Sequence, residues 1–264
     1  MHLARKIGVL LLAIVSVSAL AIWAEEPAGT AQKAPMTVQE VVRNLSEKNR
    51  ERQQALRQFQ STRIYRMDYH GFPSDRAAEM TVQMKYSSPN KKEFTVISQS
   101  GSKFIINHVF AKLLEGEQEA ANEENQRRTA LSEENYDFQM ESYENTASGG
   151  RYILQVMPKT KSKFLYRGKI WVDAKDFAVT RIEGEPAKNP SFWIRKTDIA
   201  HKYEKVGEFW LPVENHTESD IRLGGRATLT IEYKDYKILA ASPLKGTHQA
   251  GSEPAMAQIV EAAQ

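Results

Sequence analysis

Apolar residues recur along this chain at two different periods, and the switch between them marks where one kind of element gives way to another. Val38, Val41, Val42, Leu45, Leu56 and Phe59 trace a stripe at helical spacing, with Arg, Lys, Glu and Gln filling the remaining positions. Thr37 and Glu40 stand three apart as a capping box, and Met36 with Val41 are placed to close a hydrophobic staple over the first turn. The pattern predicts a helix over 37–60. Its stripe is interrupted between Lys48 and Arg52, so other structure covers it only in part. Packing on a sheet is the expected arrangement; lying on a membrane is the alternative for an amphipathic helix.

From Arg63 onward the period becomes two. Tyr65, Met67 and Tyr69 share one strand face, and Met80, Val82, Met84 and Tyr86 share another, with turn chemistry at His70-Gly71-Phe72-Pro73-Ser74 between them. Further strands are predicted over 93–98, after Ser88-Pro89-Asn90, and over 103–108, after Gly101. The connections are too short for parallel crossovers, so the strands form an antiparallel meander. Residues 111–135 break the alternation with a composition that favours helix, weakened by Gly116. Strands then resume over 134–140, 152–157, 163–173, 177–183, 191–204, 209–221 and 226–238, with turns at Gly149-Gly150, Ala174-Lys175-Asp176, Gly207 and Gly224-Gly225. Ala227, Leu229, Ile231 and Tyr233 share a face. Tyr236 and Ile238 fall on the opposite parity, which predicts a β-bulge at Asp235.

The sum is roughly ten strands and two helices, an α+β chain that is mainly antiparallel β. One-sided apolar strands need a cover, and two helices cover only part of so large a sheet. The expected architecture is an unclosed half-barrel, with the long first helix and a second helical insert over its concave face. If that face encloses a cavity, its lining is expected to include Tyr65, Met67, Met80, Val82, Met84, Tyr86, Leu229, Ile231 and Tyr233, with Met157 as a further methionine. Methionine is unbranched and polarisable and adapts to guests of variable shape. The competing reading is that these residues fill a solid core.

The ends have a different character. Arg5 and Lys6 precede an almost unbroken apolar stretch, 7–20, followed by Ala19-Leu20-Ala21 and Ile22-Trp23-Ala24 and then Glu25-Glu26. This is the form of a cleavable export signal over 1–24, too short for the roughly 20 apolar residues of a spanning helix; an uncleaved anchor is the alternative. Residues 25–36 read as a flexible linker, 37–240 as the folded domain and 241–264 as a disordered tail rich in Ala, Gly, Ser, Pro and Gln. The expected location is the periplasm. With no cysteine anywhere, the fold has neither disulfides nor thiolate metal sites, and export by lipid anchoring is excluded.

Removing 1–24 takes away Arg5 and Lys6 and no acid, so of 36 Lys and Arg, 34 remain against 33 Asp and Glu. That balance argues against a nucleic-acid partner, which requires a concentrated basic face. Catalytic patterns are sparse. The six histidines show no metal-helix spacing, His201 and Glu204 form an isolated pair in a strand region, and no nucleophile elbow occurs. No metal, no cofactor and no catalytic residue is expected.

The run YRGKIWVDAKDFAVTRIEGE and the later GEFWLPVENHTESDIRLGGRATLTIEYKDYKI resemble the LolA/LolB-like periplasmic lipoprotein-carrier superfamily. The recurring elements are Ile170-Trp171-Val172-Asp173, Val179-Thr180-Arg181-Ile182-Glu183, Trp210-Leu211-Pro212-Val213 and Tyr233-Lys234-Asp235-Tyr236. The resemblance spans 37–240 in architecture and 163–238 in motif. It implies an unclosed barrel under a helical lid, with lipoprotein acyl chains or lipid as guests and membrane transport proteins of the inner and outer membrane as partners. A non-catalytic, monomeric carrier for outer-membrane sorting is the leading expectation. A sensor resembling the RseB/MucB partners of anti-sigma factors is the second, and an exported hydrolase the third.

Overall fold

The computed structural model describes residues 34–146, 149–189, 191–222 and 224–244. The expected export signal, residues 25–33 of the expected linker and 245–264 of the expected tail lie outside them. Helix α1 spans Val38–Ala55 and opens as its sequence predicts. The Thr37 hydroxyl accepts from the Glu40 N–H at 3.4 Å, and Glu40 Oε2 accepts from the Thr37 N–H at 2.8 Å. Val41, Val42 and Leu45 on one side of it are buried.

The helix stops short of the expected residue 60. The chain turns extended at Leu56 (φ −75°, ψ 107°), and strand β1, Leu56–Gly71, begins there and carries Leu56 and Phe59. Its buried positions include Phe59, Ser61, Arg63 and Tyr65. Two of the four are polar, so the period of two is invisible to a hydrophobicity pattern at that point.

The other strands are β2 (Arg76–Ser87), β3 (Lys91–Gly101), β4 (Tyr136–Thr146), β5 (Gly149–Pro158), β6 (Tyr166–Asp173), β7 (Val179–Pro186), β8 (Ile194–Val206), β9 (Phe209–Ile221) and β10 (Gly225–Ala241). All pair antiparallel in one sheet of order β3-β2-β1-β10-β9-β8-β7-β6-β5-β4. Every neighbour is a hairpin partner except β1 and β10, whose long pairing welds the N-terminal meander to the C-terminal one. The edges β3 and β4 do not meet, so the half-barrel stays open. Gln60 lies opposite Lys237 and Thr62 opposite Lys234, with Asp235 at φ 53° between them: the β-bulge that the parity change predicts.

The strand expected over 103–108 is absent. A π-helical segment, Ile105–Phe110, runs there into α2 (Ala111–Ala120), followed by α3 (Glu123–Thr129). Ser102 starts it, its carbonyl accepting from the Ile106 N–H at 3.0 Å and its hydroxyl from the Ile105 N–H at 3.5 Å. Ile106, Val109, Phe110, Leu113 and Leu114 keep a spacing of three and four straight through residue 111. The helical period therefore begins before the point where the composition becomes helical.

The helices cover the two ends of one sheet face. Val41, Val42 and Leu45 of α1 pack on Tyr152, Leu154, Ile170, Val172 and Ile182. Ile105 and Phe110 pack on Tyr65, Met80, Val82 and Ile231. A third cluster, with Leu56, Phe59, Met84, Phe209 and Leu211, fills the corner where α1 passes into β1. Strand β8 contributes no buried apolar residue to any of the three.

Candidate functional site

The hairpin between β6 and β7 positions the last turn of α1. Asp173 Oδ1 accepts from the N–H of Lys175 and of Asp176, at 3.0 and 2.6 Å, and closes the turn. Phe177 sits at φ 44°. Arg52 then donates to the carbonyls of Asp176 (2.8 Å) and Phe177 (2.7 Å), while Asn49 Oδ1 accepts from the same guanidinium at 2.8 Å. Asp176 also receives the Lys205 ammonium at 2.7 Å and the Trp210 indole N–H at 2.9 Å. One hairpin thus fixes the helix end and the neighbouring β8–β9 hairpin together.

Between these elements lies a hollow of about 300 Å³. Leu56, Leu131, Ile182, Phe209 and Leu211 supply apolar walls, and Asn49, Arg52 and Gln53 of α1 supply a polar margin. Tyr203 closes it on the β8 side. Burial raises the Tyr203 hydroxyl to a pKa of about 12, and burial alone lowers the His201 imidazole, two residues along the same face, to about 4. Both side chains nevertheless keep accessible surface.

Beyond Tyr203 the inner face of β8 and β9 turns polar. Thr197 and Ser219 hydroxyls meet at 3.0 Å, both buried. Asn215, opposite His201, donates to the Tyr233 hydroxyl at 2.7 Å, and its own carbonyl oxygen is buried without a partner. Farther along, Arg63 on β1 lies under α2 and pairs with Glu117, which also accepts from the Tyr65 hydroxyl at 2.8 Å and faces Lys92 at 3.6 Å. The guanidinium stacks on Tyr233 and Phe94, at 5.0 and 5.4 Å from the ring centres. Burial works against both charges. The pairing overrides it, holding Glu117 below the ordinary carboxylate range and Arg63 above its own.

The nine residues expected to line a cavity stand on the helix-bearing face. Tyr65, Met80, Val82, Ile231 and Tyr233 are buried against the π-helical segment, with Met67 and Leu229 half-buried beside them. Met84 is buried in the corner cluster, with Tyr86 half-buried next to it. Met157 is 54% exposed, on the other side of the sheet. It borders an open depression of about 1090 Å³ above Gly168 and Gly184, where a Cβ at Gly168 would come within 2.1 Å of the Glu183 carbonyl oxygen. Paired charges such as Arg167 with Glu185, at 3.0 Å, wall that depression. The hollow's lining is not legible as a group in the sequence: Leu56, Ile182 and Leu211 belong to separate motifs and Leu131 to none, and only the fold brings them together. Among the described residues no group of three His, Asp or Glu is placed to hold a metal ion, and no helix is long and apolar enough to cross a membrane.

No family model and no curated protein matches the sequence. The chain is similar to solved structures that include the superfamily its motifs resemble. A putative outer membrane lipoprotein-sorting protein domain from Vibrio parahaemolyticus aligns with a TM-score of 0.38 at 9% identity, over 81% of this chain and 96% of that one. A LolA superfamily protein from Nitrosomonas europaea gives 0.36 at 12% identity, over 78% and 96%. The Pseudomonas aeruginosa MucA/MucB complex gives 0.23 at 10% identity, over 75% and 100%. Likeness at these scores carries no argument about function, and the open half-barrel stands on the strand order and register described above.

Proposed function

We propose that the protein is a non-catalytic carrier that shelters acyl chains of lipid or lipoprotein outside the cytoplasm and passes them between membrane partners. The observation that carries this reading is the unfilled apolar hollow under the last turn of α1. Its volume is at the lower bound, about 300 Å³, of sites that take small molecules. Each methylene moved into it from water contributes about 0.8 kcal/mol, so burial alone retains a chain and no bond-making is needed. Asn49, Arg52 and Gln53 give a polar head group somewhere to rest.

Titration of lipid-stripped protein with a fluorescent fatty acid tests this. Saturable binding is expected, with tenfold or greater loss in Ile182→Trp, whose ring occupies the hollow. Binding that is absent, or unchanged in a correctly folded Ile182→Trp variant, overturns it.

A further inference from the structure

Every exposed Phe or Trp among the described residues lies on one rim of the half-barrel. These are Phe72 (76% exposed), Phe104 (56%), Phe192 (74%) and Trp193 (55%). Strand direction places them there: β1 and β3 end at this rim, β9 ends at it, and β2, β8 and β10 begin from it. The opposite rim, with the turns at 88–90, 174–178 and 207–208, carries no exposed aromatic among the described residues.

Hydrogen bonds join the four into a continuous arc. The Tyr69 hydroxyl donates to the Phe72 carbonyl at 2.6 Å and approaches the Gly224 carbonyl at 3.4 Å, linking the β1–β2 loop to the β9–β10 turn. Arg222 follows in that turn. Its backbone N–H donates to the Trp193 carbonyl at 2.8 Å and its Nε to the Phe192 carbonyl at 2.6 Å. On the other flank the Ser102 N–H donates to the Ala77 carbonyl at 2.8 Å, which brings Phe104 beside the start of β2.

The arc is also basic. Residues 70–76, 102–104, 187–195 and 220–226 hold six Arg or Lys against two Asp. The two acids are already engaged, Asp75 by His70 and Asp220 by Arg195 and Arg226. Arg76, Lys103, Lys188 and Arg222 have no carboxylate partner among the described residues. Two of them lie over the exposed rings instead, Arg76 on Phe104 at 5.5 Å and Arg222 on Phe192 at 5.0 Å. Exposing four rings to water at loop tips is unfavourable and serves no core.

We infer that this rim is a docking surface for an anionic phospholipid bilayer, with Phe72, Phe104, Phe192 and Trp193 entering the interface and Lys103, Lys188 and Arg222 meeting lipid phosphates. Aromatic side chains favour the head-group level, and each basic residue near an anionic surface strengthens binding by about fivefold. The arc is made of separate loop tips, which suits a fluid surface; a peptide would need a groove. The inference goes beyond the carrier reading, because docking does not require an occupied hollow.

The absence of cysteine allows a clean test on the exported protein. Phe72→Cys and Phe192→Cys each take one environment-sensitive dye on this rim, and Lys175→Cys takes it on the opposite one. With phosphatidylglycerol vesicles the first two dyes are expected to brighten and shift to the blue while the third does not. The response should weaken in high salt and fall about 25-fold in affinity when Lys188→Gln and Arg222→Gln are added. All sites lie in exposed loops, and unchanged melting curves confirm the fold. Equal response from both rims, no response, or the same response to neutral phosphatidylcholine vesicles overturns the inference. Because the readout is vesicle contact, it is independent of whether fatty acid enters the hollow.

Discussion

Glu117 of α2 pairs with Arg63 on the inner face of β1, an ion pair that joins the second helical lid to the sheet beside the apolar packing of Ile105 and Phe110. Arg63 is 4% exposed, whereas 23% of the Glu117 side chain is accessible. Removing the carboxylate charge leaves the guanidinium buried without a counter-ion, beside the faces of Tyr233 and Phe94 and the Tyr65 hydroxyl. Glu117→Gln is expected to lower stability by about 1–3 kcal/mol, read from denaturant unfolding. Adding Arg63→Met to it should recover part of the loss, because the uncompensated charge is then gone.

Arg52 makes the corresponding attachment for α1. Arg52→Ala removes two charge-assisted bonds to the carbonyls of Asp176 and Phe177 and is expected to cost about 1–3 kcal/mol. Arg52→Lys should recover only part of it, since an ammonium cannot present a planar fork to two carbonyls and to Asn49 together. Hydrogen exchange should report faster opening of the 173–178 turn in both variants.

Two apolar positions separate core from margin. Met84 is fully buried in the corner cluster, so Met84→Lys places a charge where nothing can pair with it and is expected to unfold the protein, at a cost of several kcal/mol. Leu229 is half-buried at the margin of the open inner face. Leu229→Lys should melt close to the wild type and keep its fatty-acid binding, because Leu229 does not line the hollow. Circular dichroism with a fatty-acid titration distinguishes the two outcomes.

His201 gives the fold a pH dependence. Burial depresses its folded pKa to about 4, below the ordinary 6.5, so between these values the unfolded chain binds the proton that the folded one refuses. Its contribution is complete above pH 6.5 and is lost as pH falls toward 4. In His201→Gln the decline in melting temperature across that window should be shallower, by the equivalent of about 1–3 kcal/mol.

Much of this architecture is legible in the sequence because strong local signals agree. The Thr37–Glu40 box, the Asp235 parity change and the 173–176 turn each act within a few residues. Failures came where tertiary context overrides composition. Ser61 and Arg63 point inward and hide the start of β1. Ile105 and Phe110 look strand-like until Ser102 is recognised as a helix start. The hollow was beyond reach for a different reason. Its walls come from α1, β7, β9 and the segment before β4, and an empty space has no residues of its own to leave a pattern. The His201 environment was equally hidden, since desolvation depends on what surrounds a side chain and not on its neighbours in sequence.

The central claim is that the space beneath α1 exists to hold an acyl chain. Native mass spectrometry of the protein purified from the cells that make it, without detergent, tests this most directly. The account predicts a population heavier by the mass of a fatty acid or phospholipid, released on mild activation and missing from Ile182→Trp. A wild-type protein that carries no lipid mass under any gentle condition, and gains none when incubated with vesicles, would contradict it.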